Sequence, residues 1–134
     1  MRNINAILTI TGSDSTGGSG VQADINTISA LGGCAVSAIT SITMQNTLGI
    51  QKFYDLPAEI VAGQIEAIVN DVQPAVIKIG LLRSVAVIDV IVDVLQRYKP
   101  RYVVYDPIFV SSKGEKLVGD NVVNEIRRRL LPLC

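Results

Sequence analysis

The stretch that decides the fold, residues 6–28, reads AILTITGSDSTGGSGVQADINTI. Its apolar start, residues 6–10, predicts a strand, and from Val21 onward apolar residues recur with helical spacing. The loop between them contains four glycines. Glycine permits backbone conformations closed to other residues, and a helix that begins at Ser19 or Gly20 presents free N–H groups. The segment predicts a strand, a glycine loop and a helix, with a loop suited to an anion or a small polar ligand.

Polar residues in and after this loop have two explanations. Ser19 followed by Gln22 fits a capping box, which would start the helix without any ligand. Capping does not explain Asp14 or Asp24. Asp24 falls inside the apolar stripe of the predicted helix, where burial of a lone charge is expensive. It either meets a free N–H group in the first turn or accepts a hydrogen bond from a substrate hydroxyl or amine.

The glycine loop partly matches two common nucleotide-binding motifs. Gly12 and Gly17 have the Walker A spacing, but Gly18 stands where the lysine should be, which excludes a P-loop. Residues 18–23, GSGVQA, match the dinucleotide pattern G-x-G-x-x-A, which also needs an acidic residue about 20 positions later. No Asp or Glu occurs in residues 25–54. A dinucleotide- or flavin-dependent oxidoreductase is therefore a distant alternative.

The composition indicates one globular domain. The chain has 134 residues, of which 49% are apolar and 18% charged, and domains commonly contain about 100 to 150 residues. No apolar run reaches the roughly 18 residues of a membrane helix, and the first residues do not resemble a secretory signal. We therefore expect a cytoplasmic protein with no membrane partner.

Charge and residue usage exclude several classes of function. Lys and Arg number 12, as do Asp and Glu, so no overall field attracts nucleic acid. Cys34 and Cys134 are too few for a disulfide framework and are expected to be reduced. The sequence contains no histidine, which excludes Ser-His-Asp and Cys-His catalysis and His-based metal sites.

The rest of the chain alternates strand and helix patterns. We predict strands at 34–44, 75–79 and 102–105, a short strand or flap at 50–56, and a polar turn at 45–49. Helices are expected after Asp55 and Ser84, each acting as an N-cap, and over residues 120–131. The pair Gly32 and Gly33 should end the first helix, and the helix after Ser84 should turn Ile88, Ile91, Val92 and Leu95 inward. This order predicts an α/β fold of three layers, α/β/α, around a mainly parallel sheet.

The predicted carboxyl ends of the strands carry glycine or polar residues. They are residues 12–14, Gln45 with Asn46, Gly80, and Asp106. Ligands of open parallel sheets bind outside these ends, so the sequence predicts a small-molecule site along one rim. Lys78 lies in a strand that helices should cover on both faces, and it either pairs with a carboxylate or serves a ligand.

Four motifs follow one another with a characteristic spacing. They are residues 12–24 (GSDSTGGSGVQAD), 38–49 (AITSITMQNTLG), 78–80 (KIG) and 105–114 (YDPIFVSSKG). Together they closely resemble the hydroxymethylpyrimidine/phosphomethylpyrimidine kinases of thiamine biosynthesis, over nearly the whole chain. The resemblance implies a ribokinase-like fold and a transferase that uses ATP and Mg²⁺ to phosphorylate a hydroxymethyl group and then the resulting monophosphate.

The resemblance also implies roles for five residues. Gln45 would read the aminopyrimidine edge, because an amide offers both a donor and an acceptor. Asp24 and the backbone near Gly12 would hold the pyrimidine substrate. Asp106 would lie near the phosphates and hold hydrated magnesium, and Lys113 would approach phosphate charge.

Members of the implied family are roughly twice as long as this chain, within the usual size of single domains. Residues 1–134 are thus expected to be the N-terminal part of a single ribokinase-like kinase domain, incomplete at the C-terminus. The remaining part would supply the glycine-rich anion hole, the catalytic base and most of the ATP pocket. We therefore assign no catalytic residue here and expect the 134-residue chain alone to be inactive. Cys134 lacks the Gly-Thr-Gly surroundings of the family's catalytic cysteine.

Two further alternatives remain open. A pyridoxal kinase of the same branch shares the glycine loop and Asp24, and Gln45 is the reason for favouring a pyrimidine. A non-catalytic module would keep the pyrimidine contacts and transfer nothing. The resemblance implies a homodimer for the full-length form.

Overall fold

A four-stranded parallel sheet forms the centre of the computed structural model, which describes residues 5–134. Its strands are β1 (Ala6–Thr11), β2 (Cys34–Ile39), β5 (Val76–Ile79) and β6 (Tyr102–Tyr105), in the spatial order β2-β1-β5-β6. Strands β3 (Ser41–Asn46) and β4 (Gly49–Asp55) form a separate antiparallel hairpin. The helices are α1 (Gly20–Ala30), α2 (Ala58–Asp71), α3 (Val85–Tyr98) and α4 (Asp120–Glu125). The predicted α/β fold with a mainly parallel sheet is confirmed.

The two faces of the parallel sheet carry different residues. Leu8 and Ile10 of β1 are fully buried and belong to one apolar core with residues of β5, α2 and α3. On the opposite face, Thr9 pairs in register with Lys78 of β5, and both side chains contact Asp24 of α1. Helices therefore cover both faces, as the predicted three layers require.

Helix α1 begins and ends close to its predicted bounds, and helix α3 begins directly after Ser84, its predicted N-cap. Helix α1 ends before Gly32, which has a φ of +81°, and the N–H of Gly33 donates to the carbonyl of Ile28 at 2.9 Å. A C-terminal glycine in this conformation satisfies carbonyls that the helix leaves free. Helix α3 follows Ser84 and buries the four positions predicted to face inward, Ile88, Ile91, Val92 and Leu95.

The prediction of a single strand at 34–44 is wrong. Thr40 separates β2 from β3 because its two backbone hydrogen bonds go to different segments. Its N–H donates to the carbonyl of Thr11 and its carbonyl accepts from the N–H of Leu56, each at 2.9 Å. The Thr40 hydroxyl also donates to the carbonyl of Leu81 at 3.1 Å. The chain leaves the parallel sheet at this residue. Residues 50–56, predicted as a short strand or flap, supply most of β4 of the hairpin.

Two helix predictions also need correction. Asp55 does not cap α2, which begins at Ala58, and its carboxylate accepts a hydrogen bond from Nε of Arg83 at 2.9 Å instead. The last helix is α-helical only to Glu125 and continues as one π-helical turn, Ile126–Leu130, and a 3-10 turn, Leu131–Leu133. Among residues 5–134, no helix combines the length and the apolar character needed to cross a membrane.

Candidate functional site

A cavity of about 380 Å³ opens beyond the carboxyl end of β1. Its walls are the glycine loop (residues 12–20), the inner face of the β3–β4 hairpin, and residues 108–117, here called the strap. Small-molecule sites in proteins are commonly clefts of about 300 to 1,000 Å³. The predicted rim site therefore coincides with a cavity of the right size for a small ligand.

Asp14 organises the glycine loop. Its carboxylate accepts hydrogen bonds from the N–H and hydroxyl of Thr16, at 2.9 and 2.7 Å, and from the hydroxyl of Ser19 at 2.9 Å. Its own N–H donates to the side-chain oxygen of Gln22 at 2.8 Å. Burial would raise the pKa of the Asp14 carboxyl, but these donors outweigh it and hold that pKa below its ordinary value. The capping-box interpretation is wrong, because Ser19 and Gln22 both bond to Asp14.

Two glycines let the loop fold closely against its surroundings. Gly20 has a φ of +60°, and a Cβ added there would lie 2.4 Å from the carbonyl oxygen of Gly12. That same carbonyl accepts a hydrogen bond from the N–H of Val21 at 2.9 Å. A Cβ added at Gly12 would lie 2.8 Å from Oγ of Ser41. The loop conformation depends on the absence of side chains at both positions.

Strand β3 turns its polar side chains inward. Ser41 and Thr43 are buried, whereas Ile42 and Met44 are 46% and 53% exposed. The N–H of Ser13 donates to the carbonyl of Ser41 at 2.8 Å. The hydroxyl of Thr43 donates to the carbonyl of Ser13 at 2.8 Å. These bonds fix the polar face of the hairpin against the glycine loop.

Gln45 and Lys113 bring polar groups to the cavity from opposite walls. The carbonyl of Gln45 accepts a hydrogen bond from the hydroxyl of Ser15 at 2.6 Å. The Gln45 side-chain amide makes no hydrogen bond to another group within residues 5–134 and is available to a ligand. The Lys113 side chain packs against Gly49 at the hairpin turn, and its Nζ is 3.2 Å from where a Cβ added to Gly49 would lie. The cavity thus offers an amide and an ammonium group around apolar side chains such as that of Phe53.

Asp24 and Asp106 lie outside the residues that line this cavity. The Asp24 carboxylate accepts hydrogen bonds from Nζ of Lys78, at 2.9 and 3.1 Å, and from the hydroxyl of Thr9. Asp106 approaches the same ammonium at 4.0 Å. Lys78 therefore pairs with a carboxylate, and the partners of Asp24 are not first-turn N–H groups. The substrate role of Asp24 stays a prediction.

The structure thus separates the predicted site residues into two groups. Gly12, Gln45 and Lys113 line the cavity, while Asp24 and Asp106 surround Lys78 nearby. The sequence interpretation places neither Thr43 nor Phe53 of the hairpin wall in the site, because Thr43 falls within the single strand predicted at 34–44 and Phe53 within the strand or flap predicted at 50–56. The signal that would have revealed this wall is the polar alternation at positions 41, 43 and 45, which is typical of a strand that faces a polar site.

Comparisons with known proteins agree with the motifs. A family profile described as phosphomethylpyrimidine kinase matches residues 14–134. The hydroxymethylpyrimidine/phosphomethylpyrimidine kinase of Escherichia coli is 40% identical over 132 residues, which are 98% of this chain and 49% of that protein. The chain spans about half the length of the curated relatives it matches.

Solved structures show the same fold. The crystal structure of phosphomethylpyrimidine kinase from Clostridium difficile has a TM-score of 0.91 and 43% identity, over 96% of this chain and 56% of that one. Pyridoxal kinase from Staphylococcus aureus in complex with ADP has a TM-score of 0.84 and 29% identity, over 96% of this chain and 46% of that one. The similarity is closer to the pyrimidine kinase in both measures.

Proposed function

Because the chain belongs to the phosphomethylpyrimidine kinase family, we propose that the protein carrying it phosphorylates hydroxymethylpyrimidine and its monophosphate in thiamine biosynthesis. In each step an oxygen of the acceptor attacks the γ-phosphorus of ATP, the bond to the β,γ-bridging oxygen breaks, and ADP leaves. In the first step the hydroxyl proton passes to a base that we assign to no residue of this chain, and in the second step an ionised phosphate oxygen of the monophosphate attacks. We propose that residues 1–134 are the N-terminal part of a single kinase domain.

The observation that carries this proposal is the cavity shared by the glycine loop and Gln45. An amide can donate to a ring nitrogen and accept from an exocyclic amine, which is the pattern of an aminopyrimidine edge. Phe53 and Leu117 supply apolar surface for the ring. Gly12 also lines the cavity, and a glycine backbone can approach a ligand closely.

Two charged residues are proposed to serve the phosphates. Lys113 lines the cavity and provides a positive charge for a transferred phosphoryl group. Asp106 follows β6, and its side chain is 56% exposed. Magnesium commonly uses one or two protein carboxylates and completes its shell with phosphates and water, so Asp106 fits a hydrated ion that would neutralise phosphate charge. Within residues 5–134 no group of three acidic or Cys residues could hold a metal by itself.

Calorimetry with the purified chain tests the substrate site. We expect hydroxymethylpyrimidine to bind, and the substitution Gln45→Leu to weaken binding about tenfold, because two hydrogen bonds are lost. Gln96→Leu, on the exposed side of α3, is the matched control and should leave the affinity unchanged. Unchanged binding by Gln45→Leu would remove the aminopyrimidine assignment from this cavity.

Turnover separates an enzyme from a binding module. With ATP and Mg²⁺, the whole protein should form ADP and the pyrimidine monophosphate in equal amounts, whereas the 134-residue chain should bind without transfer. If the whole protein also binds without transfer, the module alternative is correct. Comparing the rates of phosphorylation of hydroxymethylpyrimidine and pyridoxal tests the pyridoxal kinase alternative. We expect the lower rate with pyridoxal, because the chain is less similar to pyridoxal kinase than to the pyrimidine kinase.

A homodimer and a cytoplasmic location are part of the same proposal. The outer face of the hairpin carries Ile42, Met44 and Tyr54, of which Tyr54 is 58% exposed and pairs across the strands with Ile42. An apolar patch of this kind is a suitable contact for a second copy. Light scattering of the whole protein should show a dimer, and Met44→Lys should weaken that dimer. A monomer at all protein concentrations would contradict the proposed homodimer.

A further inference from the structure

Arg83 lies between β5 and α3 and does not line the cavity, yet it contacts two of its walls. Its Nε donates to the two carboxylate oxygens of Asp55, at 2.9 and 3.3 Å, at the end of β4. Its guanidinium carbon lies 3.9 Å from the ring centroid of Phe53. A second nitrogen of the guanidinium donates to the carbonyl of Leu117 in the strap. One side chain therefore links the hairpin, the strap and the body of the protein.

The two strands of the hairpin are attached by different means. Strand β3 is bonded to the glycine loop through Ser13 and Ser15. Strand β4 bonds to β3, and its charged attachment to the body is Arg83. Without that attachment, β4 would keep its bonds to β3 and the packing of Ile50 and Phe53 against the core, and a two-stranded hairpin is marginally stable by itself.

We propose that Arg83 is a positioning residue that fixes the distance between the hairpin wall and the strap wall of the cavity. Phe53 and Leu117 both line the cavity, and Arg83 contacts the ring of the first and the carbonyl of the second. The identity of the ligand rests on the proposed function, but the mechanical role of Arg83 does not.

The chemistry of the guanidinium explains why an arginine suits this position. A guanidinium is planar, so it can stack on an aromatic ring while its edge donates several hydrogen bonds in one plane. A lysine could reach Asp55 but could not stack and donate to Leu117 at the same time. The Arg83 side chain is 24% exposed, so solvent screens the ion pair only in part.

Hydrogen exchange on the 134-residue chain tests the role directly. In Arg83→Met, amides of β4 and of Leu117 should exchange about tenfold faster, as expected from losing a cation–π contact and a partly screened ion pair. Amides of β1 and β5 that exchange through local fluctuations, and not through global unfolding, should keep their rates. Arg83→Lys should give an intermediate increase confined to the same segments. Arg97→Met, which breaks surface pairs with Glu66 and Asp93, is the control and should change neither wall.

Binding of hydroxymethylpyrimidine supplies the second measurement. If the proposed function holds, Arg83→Met should weaken binding about fivefold to tenfold at a temperature well below the melting temperatures of both proteins, because the bound walls must be ordered first. Failure of the wild-type chain to bind this ligand would contradict the proposed substrate. The positioning role of Arg83 would then be tested by the exchange rates alone. Wild-type exchange rates of the β4 amides in Arg83→Met would overturn the positioning role, and so would equal acceleration of β4 and of the locally exchanging amides of β1.

Discussion

Both carboxylate oxygens of Asp24 accept hydrogen bonds from the ammonium of Lys78, at 2.9 and 3.1 Å. The pair joins α1 to β5 across the sheet face, and its side chains are only 19% and 21% exposed. A largely buried charge that loses its partner keeps the cost of desolvation. Each residue therefore stabilises the fold mainly by compensating the other.

We expect Lys78→Met to lower the free energy of unfolding by about 2 kcal/mol, because Asp24 is then left without its cation. The double variant with Asp24→Asn should cost less than the sum of the two single changes, with a coupling of about 1 to 2 kcal/mol. Urea unfolding of all four proteins measures this coupling. The exposed pair of Lys116 and Asp120 is the control, with a coupling expected near 0.5 kcal/mol. Equal coupling in the two pairs would contradict the prediction.

Most of the parallel sheet and its helices could be predicted from sequence periodicity. The apolar run before Gly12 predicted β1, and the helical spacing after Gly20 predicted α1. The apolar stripe of α3 predicted which of its residues are buried. These elements follow the simple rule that apolar residues face the core. The rim position of the site then follows from the strand directions alone.

The hairpin could not be predicted in the same way. Its division from β2 depends on bonds from Thr40 to Thr11, Leu56 and Leu81, which are distant in sequence. In β3 the usual rule is reversed, because Ser41 and Thr43 face inward. Alternation along β3 predicts a strand, but the rule that apolar residues face the core would turn Ile42 and Met44 inward, which is the wrong face.

The hydrogen-bond and ion-pair partners of the polar residues in and near the candidate site could not be predicted from the sequence either. Lys78 and Asp24 are 54 positions apart, and nothing in local spacing selects Asp24 over other carboxylates. Ser19 and Gln22 fit a local capping rule, but their partner is Asp14. Local rules name the polar residues correctly and cannot choose between near and distant partners.

Two glycines should respond oppositely to alanine. Gly20→Ala should lower the free energy of unfolding by more than about 2 kcal/mol, because the left-handed backbone is strained and the new Cβ meets the carbonyl of Gly12. Gly63→Ala, exposed within α2 with no atom within 4 Å of the added Cβ, should raise it by about 0.5 to 1 kcal/mol. Urea unfolding measures both, and similar changes of one sign would contradict the assigned loop conformation.

Asp14 should make stability depend on acid pH. Its folded pKa lies below the ordinary value, so the unfolded chain binds the proton more readily. Its contribution is complete above an unfolded pKa of about 4 and is lost as pH falls through the lower folded pKa. The difference in free energy of unfolding between wild type and Asp14→Asn should therefore shrink between about pH 6 and pH 3. Asp71→Asn, exposed at the end of α2, controls for removal of a negative charge, and a constant difference for Asp14→Asn would refute the linkage.

The buried hydroxyl groups of Thr40 and Ser41 should contribute differently to the free energy of unfolding. Thr40 donates to the carbonyl of Leu81 at 3.1 Å, whereas Oγ of Ser41 is buried without a partner among the described residues. Thr40→Val should cost about 1 kcal/mol, because that carbonyl loses its donor. Ser41→Ala should be neutral or stabilising by up to about 1 kcal/mol, because it removes a polar atom whose cost of burial is not offset by a hydrogen bond. Thermal unfolding of both variants measures the contrast, and a loss in Ser41→Ala as large as that in Thr40→Val would show that Ser41 has a bonding partner in solution.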